Sequence, residues 1–266
     1  MLNPNFFNTF FVIPILNILM VFYKAFSFIK IPGALGWSMI GLTVFVRFLL
    51  HPFFKQQLET AKKMQELKPH LDKLSAKHKK EPKKLQEEQM KLYQQAGINP
   101  ASGCLFLLIQ MPIFIALYQT LSLFLIKGDL KKVIFEINKV VYLPILKVQS
   151  IDPWFFGFNL GLSPAKAAGQ WGYYLIPLIT AVLQYFQAQT AGMATPAAVP
   201  EEKKEEKKAD STEDFQKAMN MQMKYFFPLM IGYFSYTLPI GLSLYWNIFS
   251  IFSIIQYRQI QVKSSK

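Results

Sequence analysis

The chain has 266 residues, 52% of them hydrophobic, with 25 Phe and 12 Tyr, which is too apolar for an ordinary soluble domain. Its net charge of +13 comes from 29 Lys/Arg against 16 Asp/Glu, and the lysines flank apolar runs. That distribution suits an anionic membrane surface better than nucleic acid. The single cysteine, Cys104, excludes an intrachain disulfide and a cysteine metal cluster.

In chain order, residues 1–33 read as an exterior segment. Within it Phe6–Ile29 is apolar but interrupted by Asn8, Pro14, Asn17, Lys24 and Ser27. Such a stretch either spans the bilayer or lies as an amphipathic helix in the interface. The interfacial reading is preferred. Residues 34–54 are the first expected span, and Arg47 sits inside it with no acid in the same stretch. A guanidinium in hydrocarbon costs about 2.5–3.5 kcal/mol on insertion scales, so an intramembrane arginine usually marks function. The alternative is that its stem snorkels to the headgroups. The N-terminus lacks the basic n-region of a secretory signal, and the lipoprotein-like string Ala101–Cys104 lies mid-chain.

Residues 55–98 carry eleven Lys against six acids, with Leu58, Ala61, Met64, Leu67, Leu71 and Leu74 at helical spacing. Pro69 is expected to kink this helix, and Pro82 to start a second one with Leu85, Gln89, Leu92 and Ala96 on one face. The pair reads as a cytoplasmic helical hairpin with a lysine-rich exterior. Residues 104–126 form a second span containing Gln110 and Pro112. An exterior loop with a short helical portion follows over 127–170, then a third span over 171–191. Residues 192–218 contain EEKKEEKK and read as a disordered charged loop. Spans at 219–238 and 240–257 turn at Pro239, and 258–266 is a basic tail. Met219, Met221 and Met223 are expected to pack at a helix end. With 55–98, 190–224 and the tail inside, twenty Lys/Arg face eight outside, which orients the chain N-out and C-in.

Polar residues recur along the spans. Thr43 and Arg47 are one turn apart; Thr180, Gln184 and Gln187 share a face; so do Ser243, Asn247, Ser250 and Ser253, with Trp246 beside them. Each stripe alone fits hydrogen bonding between helices. Several stripes with an unpaired arginine favour a shared hydrated cavity. All sixteen acids lie outside the five spans, which speaks against a proton- or cation-coupled carrier. There is no G-x-x-x-x-G-K-[ST] phosphate loop, and His51, His70 and His78 have no metal-ligand spacing. No enzyme activity, cofactor, metal or nucleotide is expected.

Three strings carry a resemblance: TVFVRFLLHPFFKQQ (Thr43–Gln57), KLYQQAGINPASGCLFLLIQMPIFIALY (Lys91–Tyr118) and PIGLSLYWNI (Pro239–Ile248). Together with the order of elements from about Ile13 to Tyr257, they resemble the YidC/Oxa/Alb family of membrane protein insertases. The resemblance implies an all-α polytopic membrane protein of the minimal kind. Five transmembrane helices would surround a hydrophilic inner-leaflet groove, with an exterior interfacial helix and a cytoplasmic hairpin that receives substrates. Arg47 matches the groove arginine, Thr43 and Trp246 match substrate-contacting positions, and Gln184 matches a polar groove residue. Gln110, Gln187, Asn247 and Ser250 complete the expected groove set. The implied function is Sec-independent insertion of nascent membrane proteins into a bacterial plasma membrane, with lipids, the ribosome and a Sec-type translocon as candidate partners. The rivals are an assembly chaperone acting after insertion by another machine, and a solute carrier.

Overall fold

The computed structural model describes residues 5–78, 81–98, 102–125, 130–190 and 225–264; side chains are described for all of these except 82, 102–110, 125, 130, 190 and 260–264. The charged run within 192–218 and Met219, Met221 and Met223 lie outside the described residues.

A π-helical turn at Asn8–Val12 leads into α1 (Ile13–Phe28), where Pro14 falls in the first turn and its missing donor costs no intrahelical bond. The chain then reverses through Lys30 and Gly33, both left-handed, into α2 (Ala34–Leu49). Gly33 is required there twice over: its φ is +74°, and a Cβ would meet the Phe155 ring at 2.6 Å. α2 packs along α1, with Gly41 admitting the Phe22 ring.

The helix expected over 34–54 stops at Leu49, and the chain bends by 70° into α3 (His51–Lys77). Pro52 explains the break, since it has no N–H to continue the ladder and its ring crowds the carbonyl four residues back. α3 runs on through Pro69. As the spacing predicts, Leu58, Ala61 and Met64 are buried. Pro82 opens α4 (Pro82–Gln95), and the two helices share a small core of Met64, Tyr93 and Ile98.

α5 (Ser102–Leu125) continues through Pro112, and α6 (Leu130–Val140) begins the segment before the next long helix. That segment also holds a minimal hairpin, β1 (Trp154–Phe155) against β2 (Phe158–Asn159), which the sequence reading did not anticipate. Its turn residues Phe156 and Gly157 both have positive φ, the backbone hand that joins two strands tightly. The hairpin grips two helix starts. Phe155 lies on Gly33 and Gly36 of α2, and the carbonyls of Leu160 and Leu162 accept from Gly241 and Ile240 at the start of the last helix.

α7 (Trp171–Thr190), α8 (Phe227–Thr237) and α9 (Ile240–Ser264) complete the bundle. α8 packs closely on α7 because Gly232 leaves room for Ala181, whose Cβ would lie 2.9 Å from any added methyl. α9 lies against both α2 and α7 and runs past the expected end at Tyr257. One large apolar cluster, with Leu16, Met39, Leu117, Leu121 and Leu242 fully buried, joins α1, α2, α5, α6 and α9.

Among the described residues, Asn8–Phe28 and Ile240–Gln259 are long and apolar enough to cross a bilayer. The bent pair α2–α3 makes a third if counted as one span, and Met111–Phe124 is a shorter apolar helix. Among the described residues the molecule is thus an all-α membrane protein in its helical content, with one hairpin of two residues per strand added.

Candidate functional site

Arg47 lies just before the bend that follows Leu49. It sits in the last turn of α2, is only 2% exposed, and is met there by the side of α9. One terminal nitrogen donates to the Phe249 carbonyl at 2.7 Å and to the Ser253 hydroxyl. The other donates to Gln256 Oε1 at 3.1 Å. Two rings close the faces of the guanidinium, Phe249 with its centroid 3.7 Å away and Phe54, from α3, at 4.1 Å. Arg47 Nε has no hydrogen-bond partner among the described residues. A snorkelling side chain is not what is observed, because the cation is enclosed by protein.

All of these partners are neutral. A buried arginine normally finds a carboxylate, since burial without a countercharge is costly. Here the hydrogen bonds and ring faces solvate the charge without cancelling it. The result is a fixed, net-positive spot with the Nε donor to spare.

A row of polar contacts leads away from it along α9. Gln184 of α7 donates to Ser250 at 3.2 Å, and Ser250 donates to the Trp246 carbonyl at 2.8 Å. Beyond these, Ser235 of α8 bonds Thr180 at 3.2 Å and Ser243 at 2.7 Å. From Ser243 to Gln256 the row covers about 20 Å at 1.5 Å per residue. The Trp246 ring stacks on Phe114 of α5 at 6.2 Å and 10°. Asn247 Oδ1 is buried with no partner among the described residues, so an acceptor is left over beside the row.

Of the residues singled out from the sequence, the structure joins Arg47 to Ser253, Gln184 to Ser250, and Thr180 to Ser243 through Ser235. Thr43 is buried, but its hydroxyl is spent on the Met39 carbonyl of its own helix at 2.7 Å rather than on Arg47. Gln187 is half-buried one turn beyond Gln184. The side chain of Gln110 lies outside the described ones. Sequence reasoning missed Gln256, Phe249, Phe54, Ser235 and Phe114. Gln256 was within reach, since it continues the α9 stripe one turn past Ser253. The aromatic pair was not, because phenylalanines in an apolar span carry no signal of their own.

Residues 26–266 match the family described as 60Kd inner membrane protein. The chain is 31% identical over 258 residues to the membrane protein insertase YidC of Oceanobacillus iheyensis, an alignment covering 94% of this chain and 81% of that protein. It is 30% identical over 224 residues to the inner membrane ALBINO3-like protein 2, chloroplastic, of Chlamydomonas reinhardtii, covering 84% of this chain and 49% of the relative. Over 113 residues it is 45% identical to YidC of Caulobacter vibrioides, covering 42% of this chain and 17% of that one. The chain spans about half the length of the chloroplast relatives it matches. Its apolar helices and bacterial relatives point to an inner-membrane protein. By the match over most of its length, the chain belongs to the YidC/Oxa/Alb family.

Proposed function

We propose that the chain is a membrane protein insertase, moving nascent segments from the cytoplasm into the bilayer without nucleotide hydrolysis. One observation carries this reading: Arg47 is buried in the bundle and its partners among the described residues are neutral. A polar or acidic tail that must cross hydrocarbon pays a large desolvation cost. A fixed cation and a row of hydroxyls and amides part-way through the bilayer lower that cost for the tail. Thr43, Gln110, Gln184, Gln187, Trp246, Asn247 and Ser250 are the proposed lining of this route, which admits water as the substrate enters.

Phe54 covers one face of Arg47 and belongs to α3. Movement of α3 about the bend therefore uncovers the guanidinium. The lysine-rich hairpin begun by α3 captures the substrate, presented by a ribosome or a Sec-type channel, and its displacement opens the site. The apolar segment then leaves sideways into lipid, where its burial at about 25 cal/mol per Å² drives insertion. In this scheme five spans run N-out to C-in. α1 lies at the exterior interface, a reading supported by its hydrogen bonds to the 130–170 segment: Asn17 to the Val140 carbonyl at 3.2 Å and Tyr23 to the Ser150 carbonyl at 3.3 Å.

The test is reconstitution of the purified chain alone in proteoliposomes with a single-span substrate bearing an acidic exterior tail. Protease protection of the tail is the expected result. Failure to insert, with improved folding of proteins inserted beforehand, would instead identify an assembly chaperone, and solute flux would identify a carrier.

A further inference from the structure

We infer that Gln256 sets the substrate specificity of the Arg47 site, by holding the guanidinium in place with a neutral acceptor. This rests on the insertase reading above. The argument begins with the orientation of the amide. Arginine can only donate, so the Gln256 oxygen must face Arg47, which fixes the Gln256 nitrogen on the other side. That nitrogen lies 3.3 Å from Nδ1 of His51, the first residue of α3, which accepts from it in its Nε2–H tautomer. The chain Arg47–Gln256–His51 thus ties the last turn of α2, the start of α3 and the cytoplasmic part of α9 into one hydrogen-bonded unit.

What distinguishes Gln256 from the other two acceptors is that it alone can be converted to a carboxylate of nearly the same shape. Phe249 contributes a backbone carbonyl and Ser253 a hydroxyl. A glutamate at 256 would form an ion pair with Arg47 and remove its net charge without emptying the site. The amide therefore keeps the cation positioned and leaves its charge unspent. A substrate carboxylate passing nearby gains from that charge, whereas a neutral tail does not. Gln256 is half-buried, which suits a residue at the edge of such a path.

The experiment compares two single-span substrates, identical except for acidic or uncharged exterior tails, inserted by purified full-length protein in proteoliposomes. Gln256→Glu is expected to lower the rate for the acidic tail about tenfold, the loss of one charge-assisted contact, and to leave the neutral tail within about twofold. Gln256→Met, which keeps the bulk and loses the acceptor, is expected to lower the acidic tail by a smaller factor because the charge survives but is less well held. Two results overturn the inference: equal losses for both tails, which would mean a merely structural role, or no loss for either with Gln256→Glu. Arg47→Ala separates these failures from that of the function. If it still depresses acidic-tail insertion, only the role of Gln256 falls; if it has no effect, the arginine site itself is wrong, and Gln256 falls with it.

Discussion

Lys55, two turns beyond Arg47 along the chain, has Glu59 at 3.7 Å and is more than half exposed, while Arg47 is enclosed and, among the described residues, meets amide, hydroxyl, carbonyl and ring. The α3–α4 hairpin repeats the first arrangement: Lys62 faces Glu66, Lys84 faces Glu81 and Lys91 faces Glu88. Exposed i,i+3 and i,i+4 pairs of this kind contribute little each, and any one can change without consequence. In the bundle a single charge is held by a specific constellation from three helices. Charge is plentiful in the first region and nearly worthless singly; in the second it is scarce and everything nearby is arranged around it.

The contrast is broken most directly at Arg47 itself. Arg47→Ala leaves the Gln256 oxygen and the Ser253 hydroxyl without their donor and opens a gap between Phe54 and Phe249. Insertion of a substrate with an acidic tail is expected to fall by more than about tenfold, since both the charge and the packing go. Arg47→Lys should be milder, because a point charge survives although the planar fit between two rings does not. Lys55→Ala on the hairpin should leave the same assay unchanged. If Lys55→Ala costs as much as Arg47→Ala, the distinction between the regions fails.

A second test asks whether the site depends on packing at the opposite ends of the helices that hold it. Gly36→Ala would ordinarily stabilise a helix, by about 1 kcal/mol. Here the added Cβ would fall on the Phe155 ring, so the ring and its short hairpin must move. The clash should win, with a net loss of about 1–3 kcal/mol in detergent-solubilised protein unfolded by heat. A stabilised variant would show that the hairpin yields freely. Smaller still is the coupling between Gln184 and Ser250, measured by a double-mutant cycle to Ala. Polar pairs between membrane helices average about 0.6 kcal/mol, and a value indistinguishable from zero would remove this pair from the row.

How much of this was legible beforehand follows from the same physics. The helical hairpin could be read because an amphipathic stripe repeats over many residues and Pro82 marks the restart. Arg47, Gln184 and Ser250 stood out because polar residues in apolar spans are rare. The end of α2 was missed: the apolar run through Phe54 hid a bend that Pro52, placed four residues after Phe48, had in fact signalled. The β1–β2 hairpin was missed because two residues per strand leave no period to detect. Phe54 and Phe249 were invisible as ligands of the cation, since their role depends on where α3 turns after the bend rather than on residue type.

The least effect is expected in the hairpin, where acid should tell the two regions apart. Hydrogen bonds from Lys84 hold the Glu81 carboxyl below its ordinary pKa of 4.5, and Lys91 does the same for Glu88. A carboxyl depressed in the fold stabilises it fully above the unfolded value and loses that contribution as pH falls through the folded one. Acidification below 4.5 should therefore loosen α4, and only slightly, because Glu81 is exposed and Glu88 partly so, and water screens both pairs. The direct partners of Arg47 respond differently, since Gln256, Ser253 and the Phe249 carbonyl carry no acid, and His51 reaches the arginine only through the Gln256 amide. Amide hydrogen exchange, corrected for intrinsic rates, should show protection in α4 falling modestly while the 249–256 turns of α9 hold. Glu81→Gln should abolish part of the α4 response. Equal acid sensitivity in both places would mean that a titrating group acts on the arginine, directly or through the His51 end of the Gln256 chain.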